Sequence, residues 1–268
     1  MGGPDPTPLF SGGAPGTDAF PRARVRRALQ ERRLRVAYQP IVRLDDGTVA
    51  GHEALARMTT PQGALLDAAA FIHVAAGIGL ESRIDADITA QAMAQAAVPG
   101  PAAAARGKLF MNCSSAFLCD SGSLDALLQH HRTWLDAQPA ASTRDVPWVI
   151  EITERNLDAC PRRLRSKLDP LLEQGFALAL DDFGSNHSAF PYLLNLPVRY
   201  LKFDRELIRA APIASRARVT LGHLKRLAGD LGMTTVAEGV EDRATLDCVR
   251  DLGIDLGQGY WWARPTPG

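Results

Sequence analysis

The chain of 268 residues has no excess of charge of either sign and no long apolar run. Lys and Arg total 30, as do Asp and Glu, so the global basic field typical of duplex nucleic-acid binding is missing. No apolar stretch is long enough to span a bilayer, and the N-terminus lacks the charged-then-apolar pattern of a signal peptide. We therefore expect a cytoplasmic protein with no membrane span and no duplex nucleic-acid partner.

Cysteine and lysine are both scarce. No two cysteines form a CxxC pair, and no Cys/His cluster has zinc spacing, so we expect reduced thiols rather than a zinc site. Of only four lysines, Lys202 lies in an apolar setting beside Asp204. Taken alone, Lys202 fits a strand-end lysine that extends to solvent as well as it fits a functional group.

Composition divides the chain into a leader and one domain. Residues 1–20 are rich in Gly, Pro, Ser and Thr and show little periodicity, which predicts a disordered leader. A basic amphipathic segment from Pro21 to Arg33 predicts a short helix, whose arginines we interpret as a solvated face rather than a nucleic-acid or membrane surface. Residues 21–268 are expected to form a single domain.

Beyond the leader, strand-like and helical patterns alternate. The predicted strands are Arg35–Val42, Thr48–Leu55, Lys108–Asn112, Trp148–Thr153, Phe176–Asp181, Tyr200–Phe203, Thr234–Glu238 and Leu256–Gly259. Gly175, Gly232 and Gly253 each separate a helical stretch from the next strand, as a helix-ending glycine does. About eight such units in ~250 residues favour a closed α/β barrel over an open sheet.

The first two predicted strands break the parallel pattern. Only residues 43–47 separate them, and Asp46-Gly47 is a hairpin turn signal. A parallel pair would need a much longer crossover. The predicted fold is therefore a TIM-like (β/α)8 barrel whose first strand is antiparallel.

Polar side chains lie at or near the ends of these strands. In βα barrels the carboxyl ends of the strands meet at one face, which would bring together Glu53, Asn112, Glu151, Asp181, Lys202, Glu238 and Gln258. Any one of them alone is more simply a helix cap or a surface residue. Together, several carboxylates facing one cavity require cations, and oxygen ligands favour Mg²⁺ or Mn²⁺ over zinc. Adjacent Asp181 and Asp182 suggest two ions, which suit phosphodiester hydrolysis.

The ordered motifs resemble those of the EAL-domain cyclic di-GMP phosphodiesterases. The resemblance runs from residues 38–42 to Pro265 and includes the segments 51–57, 112–114, 151–154, 181–184, 201–205, 236–241 and 258–260. It implies hydrolysis of cyclic di-GMP to linear pGpG, with homodimer formation and regulation by a protein partner. Two Mg²⁺ or Mn²⁺ ions per site are implied.

The resemblance also implies roles for individual residues. The implied metal ligands are Glu53, Asn112, Glu151, Asp181, Asp182 and Glu238, with Asp181 bridging the two ions. Lys202 would hold the attacking water, and the catalytic set would be Lys202, Glu53 and Glu238. Substrate contacts would come from Gln39, Leu55, Arg57, Asp204, Gln258 and Pro265. Glu154 and Glu241 would support neighbouring loops.

One segment departs from the family pattern. After Asp181-Asp182-Phe183-Gly184 the family usually continues with a Thr-Gly-Tyr-Ser-Ser-Leu type of run, whereas this chain has Ser185–Phe190. Since the ligands are intact, we expect an effect on activity control or dimer coupling rather than on metal binding. The alternative function is a catalytically impaired cyclic di-GMP receptor or protein-interaction module. A third is an unrelated metal-dependent barrel enzyme.

Overall fold

The computed structural model describes residues 21–98, 107–137, 146–153, 161–184 and 190–268. The predicted leader, Glu154 and residues 185–189 of the departing loop lie outside the described residues. None of the described helices is long and apolar enough to cross a membrane.

Ten strands and ten α-helices are assigned in the described ranges. The strands are β1 (Leu34–Arg43), β2 (Val49–Thr59), β3 (Leu65–Asp67), β4 (Lys108–Asn112), β5 (Trp148–Thr153), β6 (Ala177–Phe183), β7 (Val198–Phe203), β8 (Thr234–Ala237), β9 (Leu256–Gly257) and β10 (Thr266–Pro267). The helices are α1 (Arg22–Gln30), α2 (Ile72–Ala76), α3 (Glu81–Ala97), α4 (Ser115–Cys119), α5 (Ser121–Ala137), α6 (Pro161–Glu173), α7 (Phe190–Asn195), α8 (Arg205–Ala210), α9 (Ser215–Asp230) and α10 (Arg243–Asp251). A 3₁₀ turn covers Ala68–Ala70.

The strands close into the predicted barrel. The ring runs β1-β2-β4-β5-β6-β7-β8-β9 and returns to β1. All neighbours from β2 to β9 are parallel, whereas β1 is antiparallel to both β2 and β9. The TIM-like barrel with one reversed strand is therefore confirmed. Two short strands outside the ring were not predicted: β3 pairs with β2, and β10 pairs with β1.

The turns that shape the barrel follow the sequence signals. Gly47 has φ +75°, in the left-handed region that favours glycine, and its amide donates to the carbonyl of Arg43. The three glycines between helices and strands, Gly175, Gly232 and Gly253, have φ values of +90°, +71° and +71°. Strand β2 continues past its predicted end at Leu55 to Thr59, because its last residues pair with the start of β1 and with β3.

The apolar core has two parts, one outside the ring and one inside it. Most of the buried apolar residues fill the space between the strands and the helices around them. A smaller cluster lies inside the barrel and comprises Ile41, Phe110, Val149, Ala179, Tyr200, Val236 and Leu256. Phe110 and Tyr200 meet edge to face there, with ring centroids 4.9 Å apart. The barrel interior is thus packed, and a site can form only above this layer.

Candidate active site

A ring of polar side chains lies directly above the apolar layer of the barrel. Successive side chains of a strand point to opposite faces, so a residue two positions from an inward-facing one also faces inward. Each barrel strand carries one polar residue of this ring, either within the strand or directly after its last residue: Gln39, Glu53, Asn112, Glu151, Asp181, Lys202, Glu238 and Gln258. For all except Glu53, the position two residues away belongs to the interior apolar cluster. Glu53 joins them through hydrogen bonds from Asn112 and Gln258, so the seven predicted strand-end residues share one face.

Lys202 lies at the centre of this ring and is fully buried. Its Nζ is 2.7 Å from Glu151 Oε1, 2.7 Å from Glu238 Oε1, 3.2 Å from Asp181 Oδ1 and 3.4 Å from Glu53 Oε2. A lysine that extends to solvent is therefore excluded. Four carboxylates around one ammonium leave an excess of three formal negative charges.

Burial and neighbouring charges shift the pKa values of the ring residues in different directions. Burial lowers the pKa of Lys202, but the surrounding carboxylates, Asp181 first, outweigh burial and raise it well above its ordinary value. Burial raises the pKa of Glu151, and the charge of Glu53 raises it further. Burial and the charge of Asp181 likewise raise the pKa of Glu238. The ring thus disfavours full ionisation of its carboxylates unless further positive charge is present.

Glu53 is the exception, because neighbouring groups stabilise its charge. Burial raises its pKa, yet the ammonium of Lys202 and hydrogen bonds from two amides bring the pKa below the ordinary value. Gln258 Nε2 donates to Oε2 at 2.7 Å, and Asn112 Nδ2 donates to Oε1 at 2.7 Å. Gln258 Nε2 also lies 3.0 Å from Gln39 Oε1. The two amide side chains therefore fix the orientation of this carboxylate.

Asp181 and Asp182 both reach the cavity although they are consecutive in β6. A regular strand would turn them to opposite faces. Here the pairing of β6 with β7 shifts register between Leu180 and Phe183, and Asp182 has φ +56°, a left-handed value that Asp tolerates better than most residues. This irregularity brings oxygens of Asp181, Asp182 and Glu238 within 4.8 Å of one another.

The residues present fit a divalent cation. Both carboxylate oxygens of Glu151 and Oδ1 of Asp181 are buried and accept no well-aligned hydrogen bond within the described part of the chain. Of these three oxygens, Glu151 Oε1 and Asp181 Oδ1 form ion pairs with Lys202 Nζ. Buried carboxylate oxygens without such partners are unfavourable, and an ion with oxygen ligands would satisfy them. The donor set, carboxylates with one amide, is the kind that Mg²⁺ and Mn²⁺ prefer.

A cavity of about 350 Å³ opens above the ring. The residues predicted for the site that line it are Gln39, Glu53, Leu55, Asp181, Asp182, Asp204, Glu238, Glu241 and Gln258. Asn112, Glu151 and Lys202 lie beneath its surface in contact with these groups. Arg57 and the half-buried Pro265 are outside the lining.

Two acids that line the cavity also hold the loops above the barrel. Asp204 precedes α8 and caps it, since its Oδ1 accepts a hydrogen bond from the backbone amide of Glu206 at 2.8 Å. Glu241 forms an ion pair with Arg209 of the same helix. The supporting role expected for Glu241 stays a prediction, with which this ion pair is compatible.

The sequence interpretation missed five lining residues: Arg205, Glu206, Gly239, Gly259 and Tyr260. All lie within or beside recognised motifs, so adjacency to Asp204, Glu238 and Gln258 was the available signal. Gly239 has φ +66°, and a Cβ there would lie 2.1 Å from Cγ of Arg205. The guanidinium of Arg264 lies 4.2 Å from the ring centroid of Tyr260, a cation–π contact at the cavity mouth.

Together, the fold and site define a TIM-like barrel with an acidic centre, whose residues fit a cation, at the carboxyl ends of its strands. The chain belongs to the EAL domain family, because the profile of that family matches residues 22–265.

Named relatives agree with this membership. The probable cyclic di-GMP phosphodiesterase PdeG of Escherichia coli is 30% identical over 248 residues, covering 92% of this chain and 48% of the relative. The cyclic di-GMP phosphodiesterase NbdA of Pseudomonas aeruginosa is 31% identical over 243 residues, covering 91% of this chain and 30% of the relative. The chain therefore spans half or less of the length of these relatives.

A solved structure has the same fold as this chain. The structure described as the PaMucR phosphodiesterase in complex with c-di-GMP superposes with a TM-score of 0.79 at 28% identity. The match covers 92% of this chain and 97% of that chain.

Proposed function

We propose that this chain is a metal-dependent phosphodiesterase that hydrolyses cyclic di-GMP to linear pGpG. The observation that carries the proposal is the buried Lys202 surrounded by four carboxylates, directly beneath a cavity open to solvent. Membership of the EAL domain family and the named phosphodiesterase relatives support the choice of substrate.

The proposed cations, Mg²⁺ or Mn²⁺ and two per site, would be held by Glu53, Asn112, Glu151, Asp181, Asp182 and Glu238. When bound, they neutralise the phosphodiester and make a water molecule more acidic. The displaced register of β6 supports a pair of ions, because it presents two adjacent carboxylates to one cavity.

In the proposed reaction a water oxygen attacks phosphorus in line with the 3′ oxygen. The new phosphorus–oxygen bond forms as the bond to the 3′ oxygen breaks; the water releases a proton to solvent, and the leaving oxygen takes one up. Lys202 is a donor held in its charged form by its neighbours, so its role is to orient the water and stabilise the developing negative charge. Glu53, oriented by Gln258 and Asn112, positions the groups beside it.

Substrate contacts complete the proposal. Gln39, Leu55, Asp204 and Gln258 line the cavity, and Arg57 and Pro265 would contact parts of the nucleotide outside it. The catalytic unit would be the domain of residues 21–268, preceded by the leader. Homodimer formation, a regulatory partner and a cytoplasmic location stay predictions.

The test is whether the protein converts cyclic di-GMP to pGpG in the presence of Mg²⁺ or Mn²⁺, with substrate and product separated by chromatography. The unaltered protein should turn over the substrate, and Glu53→Ala should lose at least about a hundredfold in rate, since it removes a ligand and disturbs the charge around Lys202. Asp169→Ala is the matched control, because it removes a half-exposed acid that pairs with Arg165 on α6. Binding without turnover by the unaltered protein would instead establish the receptor alternative.

A further inference from the structure

Arg57 lies on β2 beyond the cavity, on the face that carries the site. It follows Glu53 and Leu55 at two-residue intervals, so the three side chains share one face of the strand. Leu55 lines the cavity, and Arg57 lies about 7 Å further along the strand. A ligand that fills the cavity and extends along β2 therefore meets the Arg57 guanidinium.

Two contacts hold that guanidinium. Its Nη1 donates a hydrogen bond to the carbonyl oxygen of Ala56 at 2.9 Å. Its Nε lies 3.0 Å from Oδ1 of Asp67. The Arg57 side chain is 11% exposed, whereas that of Asp67 is 76% exposed. Within the described ranges Nη2 makes no hydrogen bond, so one end of the guanidinium remains available.

The partner acid comes from the short strand β3. Asp67 is the direct cross-strand partner of Arg57, and on the other side of β2 the cross-strand partner of Arg57 is Arg35. Arg35 directs its own Nη1 to the carbonyls of Arg32 and Leu34. Directly opposed like charges are destabilising and opposite charges stabilising. Asp67 therefore holds the Arg57 guanidinium against its repulsion by Arg35.

We propose that Asp67 is a positioning residue that orients Arg57 toward an anionic group of the substrate. The inference rests on the proposed function, since the anionic group that Arg57 would bind is a phosphate of cyclic di-GMP. Arg35, Arg57 and Asp67 together carry one net positive charge, so the row still attracts an anion. Because Asp67 acts through Arg57 and touches no reacting atom, its removal should weaken binding and leave the chemical step intact.

The carboxylate of Asp67 also has an effect that opposes ligand binding. A carboxylate 3.0 Å from Arg57 Nε also repels an anionic ligand. If repulsion dominated, removing Asp67 would tighten binding. The sign of the change therefore separates a positioning residue from a competitor.

The experiment compares Asp67→Ala, Asp67→Asn, Arg57→Ala and the Arg57→Ala/Asp67→Ala double variant. Initial rates are measured with Mg²⁺, and the Kd of cyclic di-GMP is measured by calorimetry with Ca²⁺. Asp67→Ala should raise KM and Kd about two- to fivefold with kcat unchanged, as expected for an ion pair whose acid is mostly exposed. Asp67→Asn retains an acceptor oxygen and should recover most of the loss. In the Arg57→Ala background, Asp67→Ala should have no further effect.

Asp247→Ala is the matched control, because it breaks the exposed Arg243–Asp247 pair on α10 and should leave both constants unchanged. Unchanged or lower KM and Kd in Asp67→Ala would overturn the inference, as would an equal effect in the Arg57→Ala background. Turnover by the unaltered protein with an unresponsive Asp67→Ala refutes this inference alone. An unaltered protein that neither binds nor hydrolyses cyclic di-GMP refutes the proposed function and this inference with it.

Discussion

Replacing Lys202 with methionine should destabilise the cation-free protein strongly and make its stability depend on divalent cations. The substitution keeps much of the side-chain volume but removes the ammonium from four carboxylates, two of them at 2.7 Å. At an effective dielectric constant of 20, each of those two pairs is worth about 6 kcal/mol in gross attraction. Desolvation opposes most of it, and removing one partner of a buried pair leaves a net loss of about 3–5 kcal/mol.

Urea unfolding followed by tryptophan fluorescence measures this loss. In EDTA the Lys202→Met variant should unfold at clearly lower urea than the unaltered protein, and Mn²⁺ should stabilise the variant more, since the carboxylate ligands remain. Turnover should fall by about 10²–10³-fold through loss of charge stabilisation.

Lys225→Met provides the control for this measurement. Its Nζ lies 2.7 Å from Asp255 at the start of the barrel strands, away from the cavity. Its destabilisation should therefore be the same with and without Mn²⁺. Equal stability of Lys202→Met and the unaltered protein in EDTA would refute the picture of a lysine that holds the ring together.

Three further predictions follow from other features of the structure. Asp182→Asn should weaken Mn²⁺ binding at least about tenfold by calorimetry while changing the unfolding free energy in EDTA by less than about 1 kcal/mol. Burial raises the pKa of Asp85 to about 7, above its usual 3.8, so the protein should lose unfolding free energy as the pH rises from about 4 to about 7. The Asp85→Asn variant keeps an oxygen for the amide of Ser114 and should lose less unfolding free energy over the same pH range in parallel urea titrations. Gly239→Ala should lower stability by about 1–2 kcal/mol and reduce turnover, because φ +66° disfavours a side chain and the new Cβ would displace Arg205 in the cavity wall; denaturation and rate assays check both effects.

The barrel and most of its site could be predicted because both follow from regular periodicity. Apolar runs that end in a polar residue gave the strands, and the convergence of parallel strand ends placed Glu151, Asp181 and Lys202 together. The reversed first strand followed from a short connection with a glycine turn. These are local signals that tertiary packing reinforces.

The features that were missed depend on contacts between distant segments. The extension of β2 to Thr59 and the existence of β3 arise from pairing between strands, and neither short segment has a strong pattern of its own. The period-two rule turns Asp182 away from Asp181, and only the register shift against β7 reverses this. The approach of Arg205 to Gly239 likewise joins loops that follow two different strands.

The apolar layer inside the barrel has an electrical consequence. Residues such as Phe110, Val149 and Tyr200 form a floor of low polarisability under the acidic ring, so the field of the ring is directed mainly toward the open end. The phosphodiester of the proposed substrate, itself an anion, would meet a repulsive potential until cations occupied the ring. Under the proposed function, loading with cations should therefore precede capture of the nucleotide, and the barrel floor would favour that order.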